Sequence, residues 1–388
     1  MSKNNPVSRL REYGQSVWLD SLSRRLLRGG QLKRLIESDG LSGVTSNPAI
    51  FEKAIGETED YDDDIHRLHD RGKSVEQIYQ ELAIRDIQEA ADLLRPVFER
   101  TGGADGYVSL EVSPKLAHDA QGTIAEAGSL WRAVERPNVM IKIPGTKAGL
   151  AAIQKCISDG LNINVTLLFG VARYREVADA YLRGLEHRAR RKQELNSVRS
   201  VASFFLSRID GLLDPLLDEI AAHKVPDHDE PSNGGIEKAR LAAELRGSVA
   251  VASAKIAYET YREIVASERF QKLEGQGARR QWLLWASTGT KSREYSDVKY
   301  IEPLIGSETI NTMPLETLEA YRDQGNPASR IEKGVDKAHQ VMRSLSEIEI
   351  DLAEMTERLE DEGVEKFVKP FEKLMEQIEH KGAAVPAH

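Results

Sequence analysis

One lysine stands in the middle of an apolar run. Residues 139–146 read V-M-I-K-I-P-G-T, a β-branched stretch closed by Pro144 and Gly145 that fits a short buried strand of a parallel sheet. Side chains alternate along a strand, so Val139, Ile141 and Ile143 share one face while Met140 and Lys142 share the other. With the first face packed on helices, Lys142 points into the interior of a sheet or barrel. A buried ammonium needs a carboxylate partner or a chemical use, and a desolvated neutral amine is the nucleophile of Schiff-base enzymes. The alternative is an edge strand that turns its lysine to water.

The same alternation, applied to the other apolar runs, collects further polar groups on one side. Trp18 and Asp20 face inward in the run 17–21, Thr45 and Asn47 in 43–47, and Ser109, Glu111 and Ser113 in 107–113. In 163–167, Ile163, Val165 and Leu167 face outward and leave Asn164 and Thr166 inside, while Ser203 shares the inward parity of Val201 and Phe205. Mutual hydrogen bonding in a polar packing layer is the bland account of such a set. Barrel cores are normally apolar, however, so the convergence of Asp20, Asn47, Glu111, Lys142, Asn164, Thr166 and Ser203 argues for a site.

These residue types suit one chemistry. A lysine amine attacks a ketone to give an iminium, an electron sink for cleavage of the adjacent C–C bond. A carboxylate beside it removes the hydroxyl proton that starts the cleavage. Glu111 and Thr166 are placed to hold a water for the proton transfers, and Asn47, Asn164 and Ser203 offer neutral hydrogen bonds to sugar hydroxyls. Arg208, just past the sixth strand, can fork onto a phosphate, unless it is tied to Asp210 or Asp214. Ser287 and Lys291, in W-A-S-T-G-T-K after the seventh strand, fall where such barrels usually bind phosphate.

The elements that would position these groups follow from periodicity. Eight short apolar runs, at 17–21, 43–47, 107–113, 139–143, 163–167, 201–205, 282–287 and 309–313, read as strands. Between them lie amphipathic helical stretches such as 116–134, 147–158, 172–190 and 248–266. Alternating strand and helix imply parallel strands with right-handed crossovers, and eight repeats predict an α/β fold, a (β/α)8 TIM barrel with additional helices. Residues 1–388 are expected to form one domain, with two or three extra helices in 48–100 and a charged helical region at about 326–388. In that last region E-R-L-E-D-E-G reads as a solvated face, and 225–235 reads as a loop rich in Pro, Gly and charge.

Composition narrows the function further. The 388-residue chain is 30% charged with a formal net charge of −9, so no general attraction to nucleic acid or to an anionic membrane is expected. The densest basic run, His187 to Lys192, reads as a solvated helix face. No apolar segment of the ~18 residues needed to span a bilayer occurs, and the start lacks a signal-peptide core, which together predict a cytoplasmic protein. The single cysteine, Cys156, has helical spacing and reads as packing.

Taken together, the motifs resemble those of the transaldolase family over most of the chain. They are W-L-D at Asp20, G-V-T-S-N-P at Asn47, S-L-E-V-S-P at Glu111, V-M-I-K-I-P-G-T at Lys142, N-I-N-V-T-L-L-F at Thr166, and W-A-S-T-G-T-K-x-x-x-Y-S-D followed by N-T-M-P. The resemblance implies transfer of a dihydroxyacetone unit between sugar phosphates of the pentose phosphate pathway. The donor would be sedoheptulose 7-phosphate or fructose 6-phosphate, and the acceptor glyceraldehyde 3-phosphate or erythrose 4-phosphate. It implies no metal or other cofactor, and a monomer or homodimer. It gives the Schiff base to Lys142, proton transfer to Asp20, and water positioning to Glu111 and Thr166. Asn47, Asn164 and Ser203 match donor-binding positions, and Arg208 a phosphate arginine. Shorter members of the family carry S-F-R after the seventh strand, where this chain has S-T-G-T-K as in the longer bacterial branch. Ser287 carries over, and Lys291 is read as the replacement cation. A related aldolase that releases free dihydroxyacetone is the alternative.

Overall fold

The computed structural model describes residues 5–222 and 233–384. Eight parallel strands close into a barrel in sequence order: β1 (Gln15–Asp20), β2 (Gly43–Thr45), β3 (Tyr107–Glu111), β4 (Val139–Pro144), β5 (Ile163–Leu168), β6 (Ser200–Phe205), β7 (Trp282–Ala286) and β8 (Thr309–Met313). The eight expected strands are all present, with no end shifted by more than two residues. Turn chemistry accounts for two of those shifts. Asn47 caps the helix Pro48–Phe51, its side chain accepting the Ile50 N–H, so β2 stops at Thr45. The 3₁₀ turn Pro114–Leu116 ends the extended run after β3, and Ser113 donates its backbone N–H to Glu126. Ser113 therefore does not join the lumen set.

Register decides what meets inside. Glu111 pairs with Lys142 across β3 and β4, Lys142 with Asn164 across β4 and β5, and Asp20 with Thr45 across β1 and β2. Because pairing in adjacent parallel strands keeps the same parity, these side chains all turn to the lumen, the Asp20–Thr45 row continuing to Ser109, two residues before Glu111. Toward the N-terminal ends of the strands the lumen is filled by bulk. Trp18 stands beside Gly43 in register, and a Cβ on Gly43 would lie 2.4 Å from the indole, so only glycine admits that ring.

Helices cover the outside. Ala120–Val134, Lys147–Asp159 and Val171–Arg190 are the single crossovers after β3, β4 and β5. The segment 48–100 holds the helices Pro48–Phe51, Asp62–His69 and Val75–Arg100. Between β7 and β8 the crossover holds only the 3₁₀ turn Glu302–Leu304. Of the expected loop 225–235, residues 225–232 lie outside the described residues, and 233–235 open the helix Asn233–Leu245. No helix among the described residues is long and apolar enough to cross a membrane.

Three expectations need correction. Leu167 does not face the outer helices. The ladder between β5 and β6 is irregular there, its φ is +60°, and its side chain lies against Gly363 of the C-terminal helix. Arg188 in the basic run is buried, its guanidinium capping the Glu194 and Ser158 carbonyls at 2.8–3.3 Å. The segment 357–363 is only partly a solvated face. Leu359 and Gly363 are buried, and Glu360 pairs with Arg173 at 3.0 Å. This stretch belongs to the helix Leu352–Ala383, which lies over the barrel mouth. The Cys156 thiol is buried in helix packing, which pushes it up to about 12.

Candidate active site

A cavity of about 610 Å³ opens at the C-terminal ends of the strands. Eight of the eleven residues singled out in the sequence line it: Asp20, Thr45, Asn47, Lys142, Ser203, Arg208, Ser287 and Lys291. Glu111, Asn164 and Thr166 are buried in the wall adjoining it and do not line it.

Lys142 is 4% exposed. Its Nζ donates to the Ser46 carbonyl at 3.0 Å and lies 3.6 Å from Glu111 Oε2. A short β2 followed at once by a capped helix is what turns the Ser46 carbonyl toward the lysine. Burial pushes the Glu111 carboxyl up to about 7, against the pull of the nearby ammonium. Both Glu111 carboxylate oxygens and the Thr166 hydroxyl are buried without a hydrogen-bond partner among the described residues. They are free to engage a water or a reacting oxygen.

Asp20 is also raised, chiefly by burial, with Lys142 and a hydrogen bond from Thr45 acting against the shift. Thr45 Oγ1 donates to Asp20 Oδ1 at 2.7 Å, and Thr312 Oγ1 lies 2.8 Å from Thr45 Oγ1. The single hydroxyl proton of Thr45 is committed to the carboxylate, so Thr312 is the donor in the second bond. Ser203 Oγ donates to Asn164 Oδ1 at 2.7 Å and Asn164 Nδ2 to Ser109 Oγ at 3.0 Å, while Ser46 Oγ donates to the Ser109 carbonyl at 2.8 Å. This chain ties β3, β5 and β6 to the residue that follows β2 and fixes the Asn164 amide.

Arg208 pairs with neither Asp210 nor Asp214. Asp210 receives Lys299, Tyr300 and the Ala250 N–H, and Asp214 receives Tyr295 and the Gly247 N–H. The Arg208 guanidinium instead lies over the rings of Phe205 (5.4 Å) and Phe367 (5.8 Å). Ser287 adopts φ +54° at the strand end and its Oγ is 2.8 Å from Ser207 Oγ. A non-glycine residue there carries strain of about 1–2 kcal/mol, which the β6–β7 pairing must hold.

Several lining residues escaped the sequence reading. Thr312 had a signal, since it has the inward parity of β8 and lies in N-T-M-P. Phe205 likewise shares the inward parity of Ser203. Arg358, Leu359, Glu362, Lys366 and Phe367 gave none, because nothing in a charged amphipathic helix says which surface it will cover. Phe367 sits 5.6 Å from Lys142 Nζ and roofs the site.

Residues 17–378 match the family described as transaldolase/fructose-6-phosphate aldolase. Among curated proteins, the chain is 46% identical to transaldolase 2 of Nostoc sp. over 382 residues, covering 97% of both chains. It is 46% identical to the transaldolase of Thiobacillus denitrificans, covering 97% of this chain and all of that one. With the transaldolase of Mycobacterium tuberculosis it shares 43% identity, over 97% of each.

Proposed function

The chain belongs to the transaldolase/fructose-6-phosphate aldolase family, and from that membership we propose which side chains carry each step of its reaction. The protein is a transaldolase, moving a dihydroxyacetone unit from a ketose phosphate to an aldose phosphate through a lysine Schiff base. Lys142 Nζ attacks the ketose carbonyl, and loss of water leaves the iminium. Glu111, with Thr166, relays the protons of that dehydration through a water. Asp20 then takes the proton of the hydroxyl next to the scissile bond. The bond's electrons flow into the iminium as an enamine, and the first aldose phosphate departs. The enamine attacks the acceptor aldehyde, Asp20 returns the proton to the new alkoxide, and water releases the product from Lys142.

Asn47, Thr45 and Ser203 hold the three-carbon unit, with Asn164 positioning Ser203 through their hydrogen bond. Arg208, Ser287 and Lys291 meet the phosphate. The observation that carries the reading is a lysine buried within β4, beside a carboxyl raised to about 7 by burial, in a cavity that Asp20 also lines. We place the reaction in the cytoplasm, in a monomer or homodimer.

A coupled assay with fructose 6-phosphate and erythrose 4-phosphate tests the activity, and borohydride trapping tests the roles. Lys142→Ala should lose covalent labelling by fructose 6-phosphate altogether. Asp20→Ala should still be labelled yet transfer slower by roughly two to four orders of magnitude, the weight of general acid–base catalysis. Label on Lys142→Ala, or transfer at full rate by Asp20→Ala, would overturn the respective assignment. Release of free dihydroxyacetone with no acceptor present would place the chain on the aldolase side of the family.

A further inference from the structure

The cavity concentrates positive charge in an acidic protein. Lys142, Arg208, Lys291, Arg358 and Lys366 line it against the carboxylates of Asp20 and Glu362, although the chain as a whole carries a formal −9. Two of these cations come from the C-terminal helix, at one-turn spacing around Glu362. Arg358 Nε donates to Glu362 Oε1 at 2.8 Å and Lys366 Nζ to Oε2 at 3.2 Å. Residues i, i+4 and i+8 share one face of a helix, so all three present the same side to the mouth. Among the described residues, Glu362 is the one carboxylate that either cation meets within ion-pair distance. One acid thus serves two bases, and those bases are more than half exposed.

The helix is also fixed where this face must act. Phe367, next to Lys366, lies over both Lys142 and Arg208. The neighbouring Leu359 and Gly363 are buried beneath it. A phosphorylated sugar bound covalently at Lys142 extends toward Arg208 and so passes below this face. A phosphate dianion offers two charges and several acceptor oxygens, where Glu362 offers one charge and two oxygens.

Resting on the transaldolase reading, we propose that Arg358 and Lys366 form a phosphate-reading strap on the C-terminal helix. In the free enzyme Glu362 holds both cations over the mouth, and the aldose phosphate competes with it for them. Glu362 is then a counter-charge that tempers phosphate affinity and lets product leave.

The test compares erythrose 4-phosphate with erythrose as acceptors at saturating fructose 6-phosphate, reading the ratio of their kcat/KM values. Arg358→Met and Lys366→Met should each lower that ratio by roughly tenfold, the value of one charge-assisted hydrogen bond. Glu362→Gln should raise it, and should lower the concentration of inorganic phosphate that half-inhibits transfer. A purely structural ladder would make all three variants move the same way, and an unchanged ratio in Arg358→Met and Lys366→Met would equally overturn the strap. If the unmodified enzyme transfers nothing to erythrose 4-phosphate, the transaldolase reading fails instead.

Discussion

Burial and charge act in opposite directions on Glu111, and burial wins. The carboxyl lies at about 7, well above its ordinary 4.5, in spite of the ammonium 3.6 Å away. A group titrating there accepts and returns protons near neutral pH with little free-energy cost either way. Iminium formation needs Glu111 ionised to accept a proton, so kcat/KM for the ketose phosphate should rise through a limb near pH 7. Glu111→Gln should lose that limb. Stability moves in the other direction. The folded state binds this proton more tightly than the unfolded chain, so the contribution is full below about pH 4.5 and is lost as pH rises to about 7. At most roughly 3 kcal/mol is involved. Melts of the wild type and Glu111→Gln should therefore diverge over that window, the wild type losing more. Parallel curves would mean that Glu111 is not raised.

Among the elements, the C-terminal helix Leu352–Ala383 connects parts that the barrel leaves separate. Its charged side chains reach Arg173 at the start of the helix after β5 (3.0 Å), Lys147 after β4 (3.6 Å), and Glu52 and Asp62 in the insertion after β2 (2.7 and 2.6 Å). Its close approach depends on Gly363, where a Cβ would stand 3.2 Å from Leu167 and 3.3 Å from the Phe169 ring. A valine there adds further carbons to that contact and pushes the helix off the mouth. Gly363→Val should keep the barrel folded and cost about 1–3 kcal/mol. It should lower kcat/KM by roughly ten- to a hundredfold, because Phe367 and the cations beside it shift relative to Lys142. Steady-state kinetics on a variant whose circular dichroism matches the wild type checks this. Unchanged kinetics would mean that the helix does not shape the site.

For the whole molecule, the contrast between a net charge of −9 and a basic cavity has a measurable consequence. The acidic surface repels anions at long range, while the cavity attracts them at short range. Salt screens exposed charges within about 10 Å at 0.1 M and about 3 Å at 1 M. Raising ionic strength with a weakly binding salt should therefore raise KM for phosphorylated acceptors several-fold and leave that for glyceraldehyde almost unchanged. Equal responses would remove electrostatics from phosphate capture. The insertion at 48–100 supports the roof of that cavity, since its Glu52 and Asp62 pair with Lys373 and Lys381 of the C-terminal helix.

How far the sequence reached follows from the range of the interactions involved. Strand alternation has a period of two and is local, so the inward set of Asp20, Thr45, Glu111, Lys142, Asn164, Thr166 and Ser203 was readable one strand at a time. Closure of the barrel followed from counting repeats. Alternation failed where the chain leaves the strand, at Ser113 and at the irregular Leu167, while Asn47 reaches the cavity as expected but as a helix cap. What tertiary structure alone decided is contact between segments far apart in the chain. The register that sets Glu111 beside Lys142, the Ser46 carbonyl that receives the lysine, and the fall of Arg358, Glu362, Lys366 and Phe367 over the mouth all depend on such contacts. A charged helix face has the same sequence pattern whether it meets water or a substrate, and only the surface beneath it makes the difference.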